Sequence, residues 1–389
     1  MEARVDVAIV GAGFAGLALA CRLSERGLRT AVLERRAELP ASGAAITLQP
    51  NGLSALERIG VLERVEDGGS RMRRVSMRDP RDREVGAWDY GELDHPHPYI
   101  VGITRVCLLS LLVDRLTELG GEAPRFGCPF EGLLDEDGVV HGLRHPGGEL
   151  LADCVVGADG VASGVRPALG IRAFVGRADP FVVGIGARAP QLSESDALMY
   201  LGPGYGNGVL RAGRGAYFWD HVDASIRDVV DARDFDAWRA LYIQRVPCGR
   251  QVTAGLSSFD DLTVLRGRIM VAGGRAVGGA VLAGDAAGAV HPHSGQGANI
   301  AFEDVVALSD VLADCVGDGP IPAAALARYS RPRRRRRLAA IARSALAART
   351  LDAPNLAWRL VRRGTFAAGR ARPVRRALLN EQAGLGITA

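Results

Sequence analysis

The sequence predicts an α/β fold: a parallel sheet, a further strand-rich region, and helices at the C-terminus. Three observations carry this. A β-branched run leads directly into a glycine-rich turn and a helical stretch over residues 5–36. Apolar runs of strand length, separated by glycines, fill residues 171–265, and residues 321–389 are rich in arginine and alanine and read as helical. With 389 residues, 48% of them hydrophobic, the chain can bury a large core divided over two to three domains.

The N-terminal stretch "VDVAIVGAGFAGLALACRLSERGLRTAVLERR" is the most specific. Val5–Val10 reads as a strand buried on both faces, Leu17–Arg26 as a helix closed by Gly27, and "RTAVLE" as the next strand. Between the first two lies Gly11-x-Gly13-x-x-Gly16, with Ala15 inside the turn. Gly11 permits the tight turn, Gly13 admits a pyrophosphate close to the backbone, and Gly16 lets helix and strand pack. The helix start offers unpaired N–H groups to phosphate. Glu34, followed by Arg35, ends the second strand where a carboxylate can accept from a ribose diol. This is a Rossmann-like dinucleotide site, and its acid alone does not separate NAD from FAD.

Composition excludes several classes. There is no lysine, so all 48 basic residues are arginines and Schiff-base chemistry is unavailable. Six scattered cysteines without a Cys-x-x-Cys pair argue against a disulfide framework or a zinc site, and no metal ligands are assigned. No apolar run reaches the roughly 18 residues of a membrane span. Acids at Glu2 and Asp6 speak against a secretory leader, so a cytoplasmic protein is expected. The net charge of +4 is modest, and the run "RPRRRRR" at 331–337 reads as a solvated helical face rather than a nucleic-acid site.

Two further motifs sit at strand ends: "GADGVASGVR" (157–166), and "GAVLAGDAAGAVHPHSGQGANIAFED" (279–304). With the N-terminal turn they resemble, in order and spacing, the single-component FAD-dependent monooxygenases of the para-hydroxybenzoate hydroxylase type, over roughly residues 1–345. The resemblance implies FAD as cofactor, NADH or NADPH as co-substrate, and insertion of one oxygen atom from O2 into a small organic molecule, aromatic or polyketide-like. It places Asp285 on the flavin ribityl chain, and Asp159 and Arg105 beside the cofactor. It sets the helix start at Gly295, Gly297, Ala298 and Asn299 against the flavin pyrimidine edge, where a helix dipole stabilises an anionic reduced ring. Arg166 braces the second loop or holds phosphate, and residues 43–60 flank the flavin. The sequence departs from the family at Gly288, where histidine is usual.

The fold implied is a Rossmann-like FAD-binding domain from 1–71, 101–170 and 266–320, a mixed β-sheet substrate domain from 72–100 and 171–265, and a C-terminal helical region over 321–389. Within the middle region "FVVGIGARA", "ALMYLGPG", "GVLRAGRGAYFWDHV" and "RQVTAGLS" read as strands. Tyr205, Tyr217, Trp219 and His221 are candidate lining residues, with Tyr217 and Trp219 on one face by alternation. His291 and His293, flanking Pro292, join Tyr217 as catalytic candidates. A non-oxygenating reductase, or a cyclase using FAD structurally, is the competing enzyme; a flavin-binding regulator would have no need of an open reaction face.

Overall fold

Val7, Ala8, Ile9 and Val10 are buried because their strand, Ala3–Val10, lies inside the first sheet. It pairs in parallel with Thr30–Leu33 on one side and Gly148–Gly157 on the other, and Gly148–Gly157 pairs in parallel with Ala280–Leu282. The computed structural model describes residues 3–40, 44–187, 192, 196–274, 276–317 and 319–386. Gly43 and residues 188–189, at the ends of two predicted stretches, lie outside these. The register aligns Val10 with Leu33 and Gly157, and Gly157 with Leu282. The three glycine-bearing loops therefore leave from one edge, the carboxyl ends of parallel strands, where open α/β sheets place their ligands.

A seven-stranded mixed sheet roofs that edge. Its order is Thr263–Leu265, Phe181–Gly186, Gly215–His221, Gly206–Ala212, Asp196–Leu201, Arg74–Arg78 and Glu84–Asp89. Alternation along Gly215–His221 turns Tyr217 and Trp219 to the same side, with ring centroids 6.0 Å apart. Phe218, between them, faces the other side and packs on Trp238 and Tyr242 of the helix Phe235–Arg245. Asp234 caps that helix by accepting from Ala237 N.

Two sequence expectations are corrected here. "RQVTAGLS" alternates Val252, Ala254 and Leu256 like a strand, yet Gly249–Val252 is a helical turn and Ala254 is exposed. Thr253 Oγ1 donates to the Gly249 carbonyl at 2.8 Å and closes the turn instead of joining a ladder.

The second correction concerns the arginine run. It lies in the helix Ala323–Asp352, the arginine helix, and Arg334 and Arg335 are exposed. Arg333, Arg336 and Arg337, three and four residues apart, face inward against Gly297–Cys315, the Gly297 helix. There Arg333 meets Asp304 at 2.6 Å and Glu303 at 2.9 Å, Arg336 meets Glu303, and Arg337 meets Asp304, which is fully buried. The carboxylates that make this face dry sit about 30 residues upstream, so the local charge pattern gave no sign of them. The departure at Gly288 belongs to the same core: a Cβ there would lie 2.3 Å from Arg337 Cδ. Glycine on the strand surrenders the volume that the arginine stem fills. Among the described residues, no helix is long and apolar enough to cross a membrane.

Candidate functional site

The three loops and the roof sheet enclose a cavity of about 650 Å³. At the first loop, Gly11 has φ 107°, and a Cβ on it would stand 2.6 Å from the Ala158 carbonyl oxygen of the neighbouring loop. A Cβ on Gly16 would stand 1.8 Å from Gly11 O, so turn and helix touch through backbone. Gly13 differs: nothing lies within 4 Å of its Cβ position, which leaves space in front of a helix start with no side-chain cap. Gly13, Phe14 and Ala15 line the cavity. Glu34, 8% exposed, accepts from Ala12 N at 2.9 Å and Arg36 N at 3.0 Å and so fixes the turn from outside the cavity wall. Arg35 is exposed and off that wall.

In the second loop, Asp159 is off the cavity wall, although Ala158 and Gly160 line it. Its Oδ2 accepts from Gly164 N at 2.7 Å and Val165 N at 3.2 Å, capping the turn Val165–Ala168. Arg166 spans two loops, donating to Val161 O at 2.9 Å and Ala286 O at 3.2 Å, and so it braces backbone.

Asp285, in the third loop, stands on the cavity wall with its side chain exposed to the cavity. Crowding by the surrounding protein raises its carboxyl pKa, and the Arg337 and Arg105 guanidiniums oppose the rise. Arg105 faces it from the wall, its guanidinium 5.2 Å from the Phe14 ring centre; burial lowers the pKa of this arginine, and the Asp285 charge counters that. Asp304 accepts from Gly284 N at 3.2 Å, so the buried ion-pair core also positions the residue before Asp285.

The Gly297 helix begins behind a short turn, Pro292–Ser294, and Gly295 in the left-handed region at φ 62°. Gly295, Gly297 and Ala298 line the cavity. The first backbone bond here runs from Ile300 N to Gln296 O, so the amides of residues 297–299 have no acceptor within the helix. Asn299 is fully buried and off the wall: it accepts from Gln49 N at 2.9 Å and donates to Thr47 O at 3.1 Å and Gly295 O at 2.8 Å. Gly52 makes room for it, since a Cβ there would lie 1.9 Å from Asn299 Oδ1.

The catalytic candidates separate. Tyr217 and His293 line the cavity and His291 does not; the His291 ring accepts from His293 N at 3.2 Å. Burial, reinforced by repulsion from neighbouring imidazoles, pushes His291 down to about 4 and His293 down to about 3, so both rings are neutral at pH 7. Burial pushes the Tyr217 hydroxyl up. Trp219 lines the cavity, whereas Tyr205 lies under the Arg245 guanidinium and His221 stands against Gly204 O, both off its wall. Sequence reasoning did not single out Phe181, Met199, Gln49 or Tyr90, which also line it. Tyr90, fully buried, donates to Gln49 Oε1 at 2.8 Å. Only their place in segments assigned to the roof and the flavin flank could have found them.

These residues fit FAD. The open front of Gly13 and its uncapped helix suit a pyrophosphate. The Asp285 carboxylate, exposed on the cavity wall, suits a hydroxylated chain. The uncharged, glycine-lined Gly297 helix start leaves room for a flat ring at close range.

Comparison with known proteins agrees. Residues 4–344 match a family described as FAD binding domain. The aurachin C monooxygenase/isomerase of Stigmatella aurantiaca is 30% identical over 350 residues, 85% of each chain. A 6-methylpretetramide 4-monooxygenase of Streptomyces rimosus is 36% identical over 177 residues, spanning 43% of this chain but only 41% of that protein. Among solved structures, the p-nitrophenol 4-monooxygenase of Pseudomonas putida superposes with a TM-score of 0.82 at 22% identity, covering 100% of both chains, which shows a shared fold.

Proposed function

The chain belongs to the FAD binding domain family as an FAD-dependent monooxygenase using NAD(P)H, and from that premise we propose that it hydroxylates or epoxidises an aromatic or polyketide-like molecule held beneath the roof sheet. FAD supplies the redox chemistry when bound, taking hydride from NAD(P)H and activating O2. The observation that carries the substrate reading is a cavity with bare helix amides on one wall and Phe181, Tyr217 and Trp219 on another. A ring-bearing substrate fits the aromatic wall by stacking.

In this reading Gly11, Gly13, Ala15 and Gly16 hold the pyrophosphate, Glu34 meets the adenosine ribose, and Asp285 and Arg105 hold the ribityl chain. The amides of Gly297, Ala298 and Asn299 stabilise negative charge on the ring, with Gly295 setting the turn before them. Asn299 orients these amides through its bonds to Gln49, Thr47 and Gly295. Asp159 shapes its loop, and Arg35 holds no contact the reading needs. Tyr217 and neutral His293 orient the substrate, while His291 supports His293. Residues 1–71, 101–170 and 266–320 form the FAD-binding domain, 72–100 and 171–265 the substrate domain, and 321–389 a helical cover; the division of strands between the two large sheets supports this, with the small sheet Ala173–Arg177, Arg268–Ala272 and Gly288–Ala289 at their seam. We place the protein in the cytoplasm, supported by six free cysteines. The deciding experiment is a compound screen for accelerated NAD(P)H oxidation with a product one oxygen atom heavier. Accelerated oxidation without any oxygenated product across ring-bearing compounds sinks the substrate assignment.

A further inference from the structure

A second cavity, of about 840 Å³, lies outside the flavin cavity. Its floor is the edge strand Glu84–Asp89 of the roof sheet, and its cover is the arginine helix with Leu356–Ala368 and Arg372–Gln382. Most of that cover follows residue 344, where the family match ends. The cover is fastened at defined points. Arg375 pairs with Glu92 at 3.0 Å, Arg343 with Glu381 at 2.7 Å, and Gln296 Nε2 donates to Gln382 O at 2.8 Å. Leu379 is fully buried beneath it, and Gly86 allows Phe366 to approach, its Cβ position being 3.4 Å from that ring.

The lining is largely apolar, with Met77, Trp88, Ile300, Leu351, Phe366 and Leu378 toward the inside and exposed Val85, Leu346 and Arg370 at the rim. Ionised side chains on the wall are largely paired with each other, as above, so they demand no charged ligand. The volume lies within the roughly 300–1,000 Å³ of small-molecule sites. Trp88 and Phe366 offer faces for rings, and Met77 adapts to their shape. Trp88, Ser294 and Gln382 belong to the walls of both cavities, so a partition one side chain thick separates them. Across the partition, Gln382 Nε2 donates to Ser294 O at 3.5 Å. The flavin cavity has another mouth, at Leu265, Arg266 and Arg268, whose two arginines suit an anionic visitor better than an apolar one.

We propose that the outer cavity is a second binding site, for an apolar ring-bearing molecule, and that it passes such a molecule to the flavin cavity between Trp88, Ser294 and Gln382. The passage rests on the monooxygenase reading; the binding site does not.

N-phenyl-1-naphthylamine, a neutral ring dye that brightens out of water, tests both parts on the FAD-loaded protein. Ala347 lines the outer cavity alone, so Ala347→Trp fills it without touching the flavin wall. Dye affinity should fall by about tenfold or more, equivalent to ~1.4 kcal/mol, with the flavin content unchanged. In stopped flow, the dye-induced shift of the flavin absorption band should slow by about as much. Trp88→Ala, which thins the partition, should speed that shift and keeps the test open if Ala347→Trp does not fold. No dye binding to the wild type, or undiminished affinity in Ala347→Trp, overturns the site. A flavin shift that is absent, or unslowed by Ala347→Trp and unhastened by Trp88→Ala, overturns the passage and assigns entry to the Leu265–Arg268 mouth. A protein that cannot take up FAD defeats the monooxygenase reading instead, and dye affinity still decides the site.

Discussion

The two flanks of the Gly297 helix are built on opposite principles. Toward the flavin cavity it shows glycine, alanine and amides without helical acceptors. Toward the arginine helix it shows Glu303 and Asp304, each held by guanidiniums. Burial alone would raise the Glu303 carboxyl, yet Arg336 and Arg333 hold it below its ordinary value. A helix start stabilises developing charge only if its donors do not have to reorganise. The saturated flank supplies that rigidity to the bare one.

The strongest challenge to this pairing is Arg337→Gln. It leaves Asp304 buried without one of its cations, which typically costs about 3–5 kcal/mol. We expect a lower unfolding midpoint in urea, and loss of FAD together with fold. A variant as stable as the wild type would show that the flank carries no load. Gly295→Val attacks the bare flank. At φ 62° a β-branched residue is strained, so the turn should shift and the amides swing off the ring. Losing one preorganised donor costs about 3–4 kcal/mol, so flavin reduction by NAD(P)H should slow on the order of 10²–10³-fold in stopped flow. A normal reduction rate would remove these amides from the mechanism.

The turn ahead of the helix is tested by pH. The folded protein depresses the His293 pKa, so the unfolded chain binds more protons between about 6.5 and about 3. The stability contributed is fully present above pH 6.5 and is lost as pH falls toward the folded value, roughly 2 kcal/mol by pH 5. Urea midpoints at pH 7 and pH 5 should converge in His293→Gln relative to wild type; an unchanged gap refutes the assignment. Smaller still, Glu34→Ala and Asp285→Ala each remove the acceptors proposed for cofactor hydroxyls, about 1–3 kcal/mol, and should weaken FAD retention about tenfold. Equilibrium dialysis with unchanged affinity would clear either residue. Arg334→Gln and Arg335→Gln, exposed members of the same run, should shift stability by no more than about 0.5 kcal/mol. A larger loss would erase the distinction between inward and outward arginines.

What was legible in the sequence is what backbone geometry demands locally. Gly11, Gly13 and Gly16 must be glycine for reasons confined to one turn, so their meaning survives without tertiary information. Tyr217 and Trp219 were placed on a common face by alternation alone. Asn299 and Asp159 stand inside cofactor motifs, and the motifs say nothing of what their side chains hold. Those side chains bond to backbone that only the fold brings near. The arginine run reads as a solvated face for a related reason: the acids opposite Arg333, Arg336 and Arg337 lie on another helix. The outer cavity had no sequence signal, since its walls come from a sheet edge and helices almost 300 residues apart.

The Gly288–Arg337 contact has a consequence for how such a chain can change. Position 288 cannot take a side chain while 337 keeps its long stem, and 337 cannot be shortened without opening a void and leaving Asp304 with Arg333 as its one cation. Each single step passes through a poor intermediate, so the two positions are best engineered as one unit. A library that randomises either alone samples mostly dead ends; one that varies both together explores whether the usual histidine can be restored.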